Sequence, residues 1–478
     1  MNGAEFTAGQ EHSAKGTGGL GHVVAQSPGR AVVMGRLDNK VRMGERVLFS
    51  GVPQVLGIVT GFETPVSDTD PTAEDIVFVD VRLVGTLRSD GTATRGSAQP
   101  AMGAEAFRLP RSVETAEAAM GRPVRVGSHD GGFPVCFDAA SLLGRTVTIT
   151  GDAESGKSST LVAIVRALLS DGFPARLVLI DPEGEFSASL GRAASVVDAA
   201  DGLLPISLLT DDEFAALLGR IGEPLSADEV RAVARLREVA GAGSDLETLR
   251  EVCGRLRSSD IRHAERFEVL AERIRILSED DRYTAFCGQA VRDSGVEGAL
   301  QRFFRLPDGR PPASVVQLHG LAPELRPLAV SILMRLGLAV ATGSAGAVPV
   351  VMALDRACEV FTELPDVKAP AFGIIASGHG LVPSTNGITF LHRIRNTRDN
   401  RRVIPEGDPM AEDIAANARV LSVGEAMLID PDYPWPIRFS VTELPGKAIP
   451  RRSRPEPPRD AASLLIAISE ACTPRAES

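Results

Sequence analysis

No CxxC pair occurs in this chain. Its five cysteines, Cys136, Cys253, Cys287, Cys358 and Cys472, are odd in number and scattered, and none has a histidine at metal-ligand spacing. That excludes a disulfide framework and a zinc site of the Cys/His kind, and leaves buried or incidental thiols. No stretch approaches the roughly 18 uncharged apolar residues of a membrane helix, and the start, MNGAEFTAGQEHSAKGTGGLGH, has no apolar core behind a basic end. The expectation is a cytoplasmic protein with no membrane partner. Positive charge is also short: a net charge of -11 excludes a surface coated with basic residues for gripping nucleic acid from outside. It leaves room for a basic lining inside a pore.

What is present is a folded, multidomain chain: 478 residues, 44% hydrophobic and 24% charged. Residues 1–28, rich in Gly, Ser, Gln and Ala, read as a flexible tail. Over 29–115, short β-rich runs (RAVVMGRL, GERVLFSG, VLGIVTGFE, DIVFVDVRLVG) are separated by Gly, Asn, Asp and Pro, the pattern of a small barrel or sandwich. From 116 to 210, and again from 301 to 445, strand and helix patterns alternate, which gives an α/β core with a mostly parallel sheet covered on both faces. Between them, 211–300 reads as a helical insertion with capping boxes at Ser226 to Glu229 and Ser244 to Glu247. The tail, 446–478, is rich in Pro and Arg before one short amphipathic helix that packs on something else.

GDAESGKSST carries the strongest chemistry. Gly151, Gly156, Lys157 and Ser158 satisfy G-x-x-x-x-G-K-[ST], after the apolar strand RTVTIT and before the helix STLVAIVRALLSDG, with Leu161, Ile164, Val165 and Leu168 at helical spacing and a terminal Gly172. Gly151, Asp152, Ala153, Glu154, Ser155, Gly156, Lys157, Ser158 and Ser159 are expected to wrap a nucleotide: backbone N–H groups turn onto the phosphates, Lys157 bridges the terminal ones, and Ser158 reaches Mg²⁺. Asp152 and Glu154 are acids where small residues would be more comfortable, and their side chains are expected to point outward. No guanine-reading N-K-x-D follows the loop, which disfavours a GTPase.

Four segments together, SLLGRTVTITGDAESGKS, LVLIDPEGEF, VVMALDRA and FLHRIRNTRDN, with GEAMLID near the end, resemble the HerA branch of the HerA/FtsK family of hexameric P-loop ATPases. The resemblance covers about residues 30 to 445. It implies a RecA-like core and an N-terminal small β-barrel. It also implies a hexamer with ATP and Mg²⁺ at each subunit boundary, DNA in a central pore, and a nuclease or other effector protein docked on the barrels. By the same resemblance, Lys157 and Asp355 are catalytic, Ser158 and Asp355 hold the metal, and Arg393, within R-x-x-N-x-x-D, completes a neighbour's site with Arg395 or Arg398 as substitutes.

Two departures stand out. Where the family's magnesium strand ends Asp-Glu-Ala-His, this chain has Asp355, Arg356, Ala357 and Cys358, and a guanidinium accepts no proton. Where the next strand should end in a polar sensor, it offers Ser377, Gly378 and His379. Glu183 and Glu185, just beyond a strand's carboxyl end, are candidate replacement bases, and a structural turn is their other reading. Glu359 is the weaker candidate. Slow turnover is expected, and two functions stay open: a DNA translocase or helicase working with a nuclease, or an assembly or regulatory subunit with little or no ATPase activity.

Overall fold

The computed structural model describes residues 19–36, 38, 41–64, 75–88, 93–96, 98–109, 121–128, 134–201, 204–241, 244–259, 263–306, 313–361, 364, 366–404, 408, 410–433, 435–441, 467, 468 and 471. They divide into two compact units. The first comprises Met1–Met120, Glu406–Ile414 and Ile429–Pro436, and the second the remainder.

The first unit is a barrel. Strands β1 (Gly19–Ser27), β2 (Arg30–Arg36), β3 (Arg46–Phe49), β4 (Gln54–Glu63), β5 (Ile76–Leu87), β6 (Ala93–Arg95) and β7 (Glu105–Arg108) run in the order β2-β1-β7-β3-β4-β5-β6. The pairing of β2 with β5 closes six of them into a ring. Alternate residues point inward to a dry core of Leu20, Val33, Val47, Phe49, Val59, Val79 and Leu83. β1 lies where the composition reads as a flexible tail. The reason is closure: Leu20 and Val23 fill the interior, and a Cβ on Gly21 would meet the Met34 carbonyl oxygen at 2.0 Å. The glycines that mimic a disordered segment are what lets β1 lie against β2. Two later segments complete this unit. Arg95 pairs with Asp408 at 2.9 Å, Arg82 pairs with Asp413, and the Arg46 guanidinium lies 4.2 Å over the Trp435 ring.

The second unit is built on an eleven-stranded sheet. Its strands are β8 (Pro123–Ser128), β9 (Pro134–Asp138), β10 (Thr146–Thr150), β11 (Arg176–Asp181), β12 (Ala194–Asp198), β13 (Ala313–Gln317), β14 (Val350–Leu354), β15 (Phe372–Gly378), β16 (Ile388–Leu391), β17 (Glu425–Ile429) and β18 (Ile437–Val441). They run in the order β12-β13-β11-β14-β15-β10-β16-β17-β18-β8-β9. The stretch from β12 to β16 is parallel throughout, while β17-β18-β8-β9 is antiparallel, so the sheet is mixed. β12 has no counterpart in the sequence reading, since its half-exposed ASVVD lacks a continuous apolar run.

The parallel strands are apolar throughout because both their faces are covered. Val351, Ile375 and Ile149 join one core with Leu161, Ile164, Val165 and Leu168 of helix α1 (Lys157–Asp171), which Gly172 ends with a left-handed φ of 66°. Met352, Ile374 and Val178 join the other with the helices of 211–304: α2 (Asp211–Leu218), α3 (Ala227–Ala240), α4 (Leu246–Ser259), α5 (Ala264–Glu279) and α6 (Gln289–Phe304). The capping box at Ser226 to Glu229 is formed, and so is one at Thr210 to Glu213 that the sequence reading passes over. The box at Ser244 to Glu247 is not formed. Ser244 donates back to the carbonyls of Ala240 and Gly241, and Asp245 takes its place by accepting from the Thr248 N–H at 2.8 Å.

Helix α7 (Arg326–Gly343) corrects the membrane expectation in one respect. The span Pro323–Gly343, with mean hydropathy 1.5, is long and apolar enough to cross a bilayer. Reading for uncharged runs passes over it because Arg326 and Arg335 interrupt the sequence. The helix belongs to the second core instead, through Leu328, Ile332, Leu336 and Val340, and Arg335 pairs with Glu213 at 2.6 Å. Of the C-terminal tail, Ile468 packs into the same core beside Gly343.

Candidate nucleotide site

The carboxyl ends of β11, β14, β15, β10 and β16, neighbours in the sheet, lie along one edge, where ligands collect in open parallel sheets. The residues that follow them are Asp181, Asp355, Ser377 to His379, the glycine loop, and His392 with Arg393. The sheet thus brings together segments separated by more than 200 residues of chain.

The loop leaves β10 at Gly151 and enters α1 at Gly156, whose left-handed φ of 106° only glycine adopts without strain. Space demands glycine as well: a Cβ on Gly151 would meet the His392 Cβ at 2.6 Å, and one on Gly156 would meet the Gly424 nitrogen at 3.2 Å. Glu154 also adopts a left-handed φ, 57°, with its side chain exposed as expected. Asp152 does not point away. Its Oδ2 accepts from the Arg395 N–H at 3.0 Å and its N–H donates to the Arg393 carbonyl at 2.8 Å, fastening the loop to the segment after β16. Ala153 and Ser159 are exposed.

Lys157 Nζ donates to the Asp152 carbonyl at 2.5 Å, inside its own loop. Burial pulls the Lys157 ammonium below its ordinary range, and the nearby Asp355, Cys358 and Asp152 act in the opposite direction. Ser158 Oγ lies 3.2 Å from Asp355 Oδ2. Asp355 is buried at the end of β14, and the hydroxyl is its neighbour across 197 residues of sequence. Lys157, Ser158 and Asp355 therefore converge at one place.

The end of β11 and the turn after it carry three acids in different settings. Asp181 organises the turn after β11, accepting from the N–H groups of Gly184, Glu185 and Phe186 at 2.8, 3.1 and 2.9 Å. Glu183 at its tip is 3.4 Å from Arg356 and 3.5 Å from Arg326. Glu185 is exposed. Arg356 holds a left-handed backbone, φ 52°, and also reaches Glu359 at 3.8 Å. On β15, Ser377 is fully buried and its hydroxyl has no protein partner, while His379 Nδ1 lies 3.1 Å from the Gly151 carbonyl.

The backbone of the arginine segment is tied to the phosphate loop of its own chain through Asp152. Arg393 is half-buried, its carbonyl engaged by Asp152 and its Nε buried without a protein partner. Asn396 caps the short helix Thr397–Arg402, accepting from the Arg398 N–H at 3.0 Å and donating to Asp399 at 2.9 Å. Arg395 and Arg398 are exposed. The sequence reading missed His392, which is fully buried beneath the loop. Its Nδ1 lies 3.1 Å from the Ser155 carbonyl and its Nε2 2.9 Å from Thr160 Oγ1. The only signal was a polar residue directly after the mostly apolar run ITFL.

The residues present fit a nucleoside triphosphate with Mg²⁺. The glycines leave room for backbone to approach phosphates, and a half-buried ammonium points into the loop. A hydroxyl beside a carboxylate matches the sparse protein ligation that magnesium accepts when phosphates supply the rest. The described residues hold no group of three or more His, Cys, Asp and Glu able to bind a metal unaided. Bound there, Mg²⁺·ATP would supply a transferable phosphoryl group; Lys157 and the loop would hold its phosphates, and Ser158 and Asp355 the ion.

Residues 123–336 match the family model described as DUF87: Helicase HerA, central domain. No curated protein matches the chain. Among solved structures, it resembles VirB4 of Thermoanaerobacter pseudethanolicus at 13% identity and TM-score 0.46, covering 68% of this chain and 98% of that one. The bacterial conjugative coupling protein TrwB (11% identity, TM-score 0.39) is covered over 94% of its chain and 68% of this one. The plasmid coupling protein TrwB in complex with ADP and Mg²⁺ gives 13% identity and TM-score 0.36, with 71% of this chain and 96% of that one covered. The phosphate loop and the carboxylate strand's neighbours in the sheet thus lie within or beside a stretch, residues 123–336, that is similar to the central domain of helicase HerA.

Proposed function

We propose that this protein is a ring-forming, ATP-binding motor of the HerA kind that passes DNA through a central pore and hydrolyses ATP slowly. Its barrel is the docking place for a nuclease or other effector, and its setting is the cytoplasm. The observation that carries the reading is the convergence of Lys157, Ser158 and Asp355, with 3.2 Å between the Ser158 hydroxyl and the Asp355 carboxylate. Exposed Arg395 and Arg398 suit contact with a neighbouring subunit's nucleotide, and a hexamer is the expected assembly. The net charge of -11 places no constraint on a basic lining confined to the pore.

One observation favours a second reading, an assembly or regulatory subunit with little or no hydrolysis. The position that resembles the family's water-polarising acid is Arg356, and the nearby acid Glu183 is paired with it. Light scattering with and without ATP, together with phosphate release with and without DNA, tests both. A ring whose turnover rises on DNA supports the motor, a ring with no turnover supports the regulatory subunit, and a monomer at every concentration removes both.

A further inference from the structure

His392 directly follows β16, whose Ile388, Thr389, Phe390 and Leu391 are all buried, and its imidazole is completely enclosed. The ring sits under both loop glycines, its Cβ against Gly151 and its Cε1 toward Gly156. The Ser155 carbonyl only accepts, so a proton on the nitrogen 3.1 Å from it completes that bond and lets Nε2 accept from the Thr160 hydroxyl, while the backbone of Glu425 also hydrogen-bonds the ring. The Gly424 N–H donates to the same carbonyl at 3.2 Å.

We infer that His392 is a positioning residue of the phosphate loop, whose Nδ1–H holds the Ser155 carbonyl inward and thereby turns the Gly156 N–H outward, toward a bound phosphate. The inference rests on the nucleotide reading of the loop. Its physical basis is amide planarity: in a trans peptide the C=O and the following N–H point in opposite directions, so fixing one fixes the other. The peptide between Ser155 and Gly156 is trans. The bond to Thr160, on the next turn of α1, ties the same ring to the helix whose N-terminus forms the site. A neutral ring suits the place. Burial, and then the Lys157 charge, oppose a second positive group there, against the pull of the carbonyl of Ser155 and the backbone of Glu425.

The test uses the full chain with His392→Leu, His392→Gln and His392→Asn. It measures Mg²⁺·ATP affinity by calorimetry, melting without nucleotide, and the ring ¹⁵N shifts of the wild type. Asparagine can place a donor where Nδ1 stands, whereas glutamine reaches only toward Thr160. The expected result is a proton on Nδ1, an affinity loss of about 10-fold or more for Leu and Gln, and recovery of most of it with Asn. A ring protonated on Nε2 overturns the inference, even where a variant fails to fold. So does an Asn variant that binds no better than Gln, or a Leu variant that binds like the wild type. A wild type that binds no nucleotide removes the nucleotide reading itself, and the inference with it.

Discussion

Arg356 and Glu183 meet across the ends of two neighbouring strands, guanidinium to carboxylate at 3.4 Å. Arg356 thus pairs with one of the two acids, Glu183 and Glu185, read from the sequence as candidate bases. Arg326 approaches the same carboxylate from 3.5 Å, so Glu183 is an acceptor already in use. Because Arg356 and Glu183 are both well exposed, at 48% and 39%, their pairing is worth at most about 1 kcal/mol.

Hydrolysis by the wild type is therefore expected to be slow. Arg356→Glu, which places a carboxylate beside Asp355, should raise phosphate release by roughly 10- to 100-fold, while Glu183→Gln leaves it slow. Brisk wild-type turnover abolished by Glu183→Gln or Glu185→Gln would show that one of these acids is the base after all.

Binding should depend on the loop lysine. With Mg²⁺·ATP at about 100 times its dissociation constant, the wild type gains roughly 2.7 kcal/mol of stability, seen as a rise in melting temperature. Lys157→Ala should abolish that rise. Asp355→Asn should keep a nucleotide response but lose most of its dependence on Mg²⁺. An unchanged rise in the lysine variant would place the nucleotide elsewhere.

His392 predicts a pH dependence. Burial first, and the Lys157 charge second, push its imidazole from 6.5 down to about 4. As the pH falls below 6.5 the unfolded chain takes up this proton and the native chain does not, so stability is lost across the window from 6.5 to 4. The full loss is about 3 kcal/mol, of which about 2 kcal/mol is gone by pH 5. Denaturant titrations at pH 7 and pH 5 should show this difference shrinking in His392→Asn.

In the barrel unit, Asp408 is 2% exposed and Arg95 is 2.9 Å from it. Arg95→Met leaves a buried carboxylate without its partner and should cost about 3–5 kcal/mol. Replacing both, Arg95→Met with Asp408→Leu, should recover much of the loss. Arg82→Met, whose partner Asp413 is 40% exposed, should cost no more than about 1 kcal/mol. Equal costs at the two arginines would contradict this ranking.

The parts legible in the sequence were those whose causes are local. The loop's glycines, lysine and serine lie within one short stretch, and buried parallel strands such as RLVLID and VVMAL declare themselves by continuous apolarity. Asp355 was found because an acid ended such a run. His392 was missed because its partners, Ser155 and Thr160, lie 237 and 232 residues away. Nothing near position 392 specifies them. β1 was missed because its glycines serve the close approach of another strand, a requirement that composition cannot distinguish from disorder. The pairing of Glu183 with Arg356 depends on β11 and β14 being neighbours, which the order of elements along the chain does not reveal.

The barrel unit takes its first strands from the beginning of the chain and two of its packing segments, Glu406–Ile414 and Ile429–Pro436, from near the other end. During synthesis, Arg82 and Arg95 leave the ribosome more than 300 residues before Asp413 and Asp408 do. This earlier part is consequently finished only after the later segments emerge, and throughout that interval Arg46 lacks Trp435 as well. The ATPase core's phosphate loop, its carboxylate strand and most of its sheet are all made before the barrel's last partners exist. A nascent chain interrupted near residue 400 would carry the nucleotide loop intact beside a barrel still missing its late ion pairs, and protease sensitivity should be concentrated in that barrel.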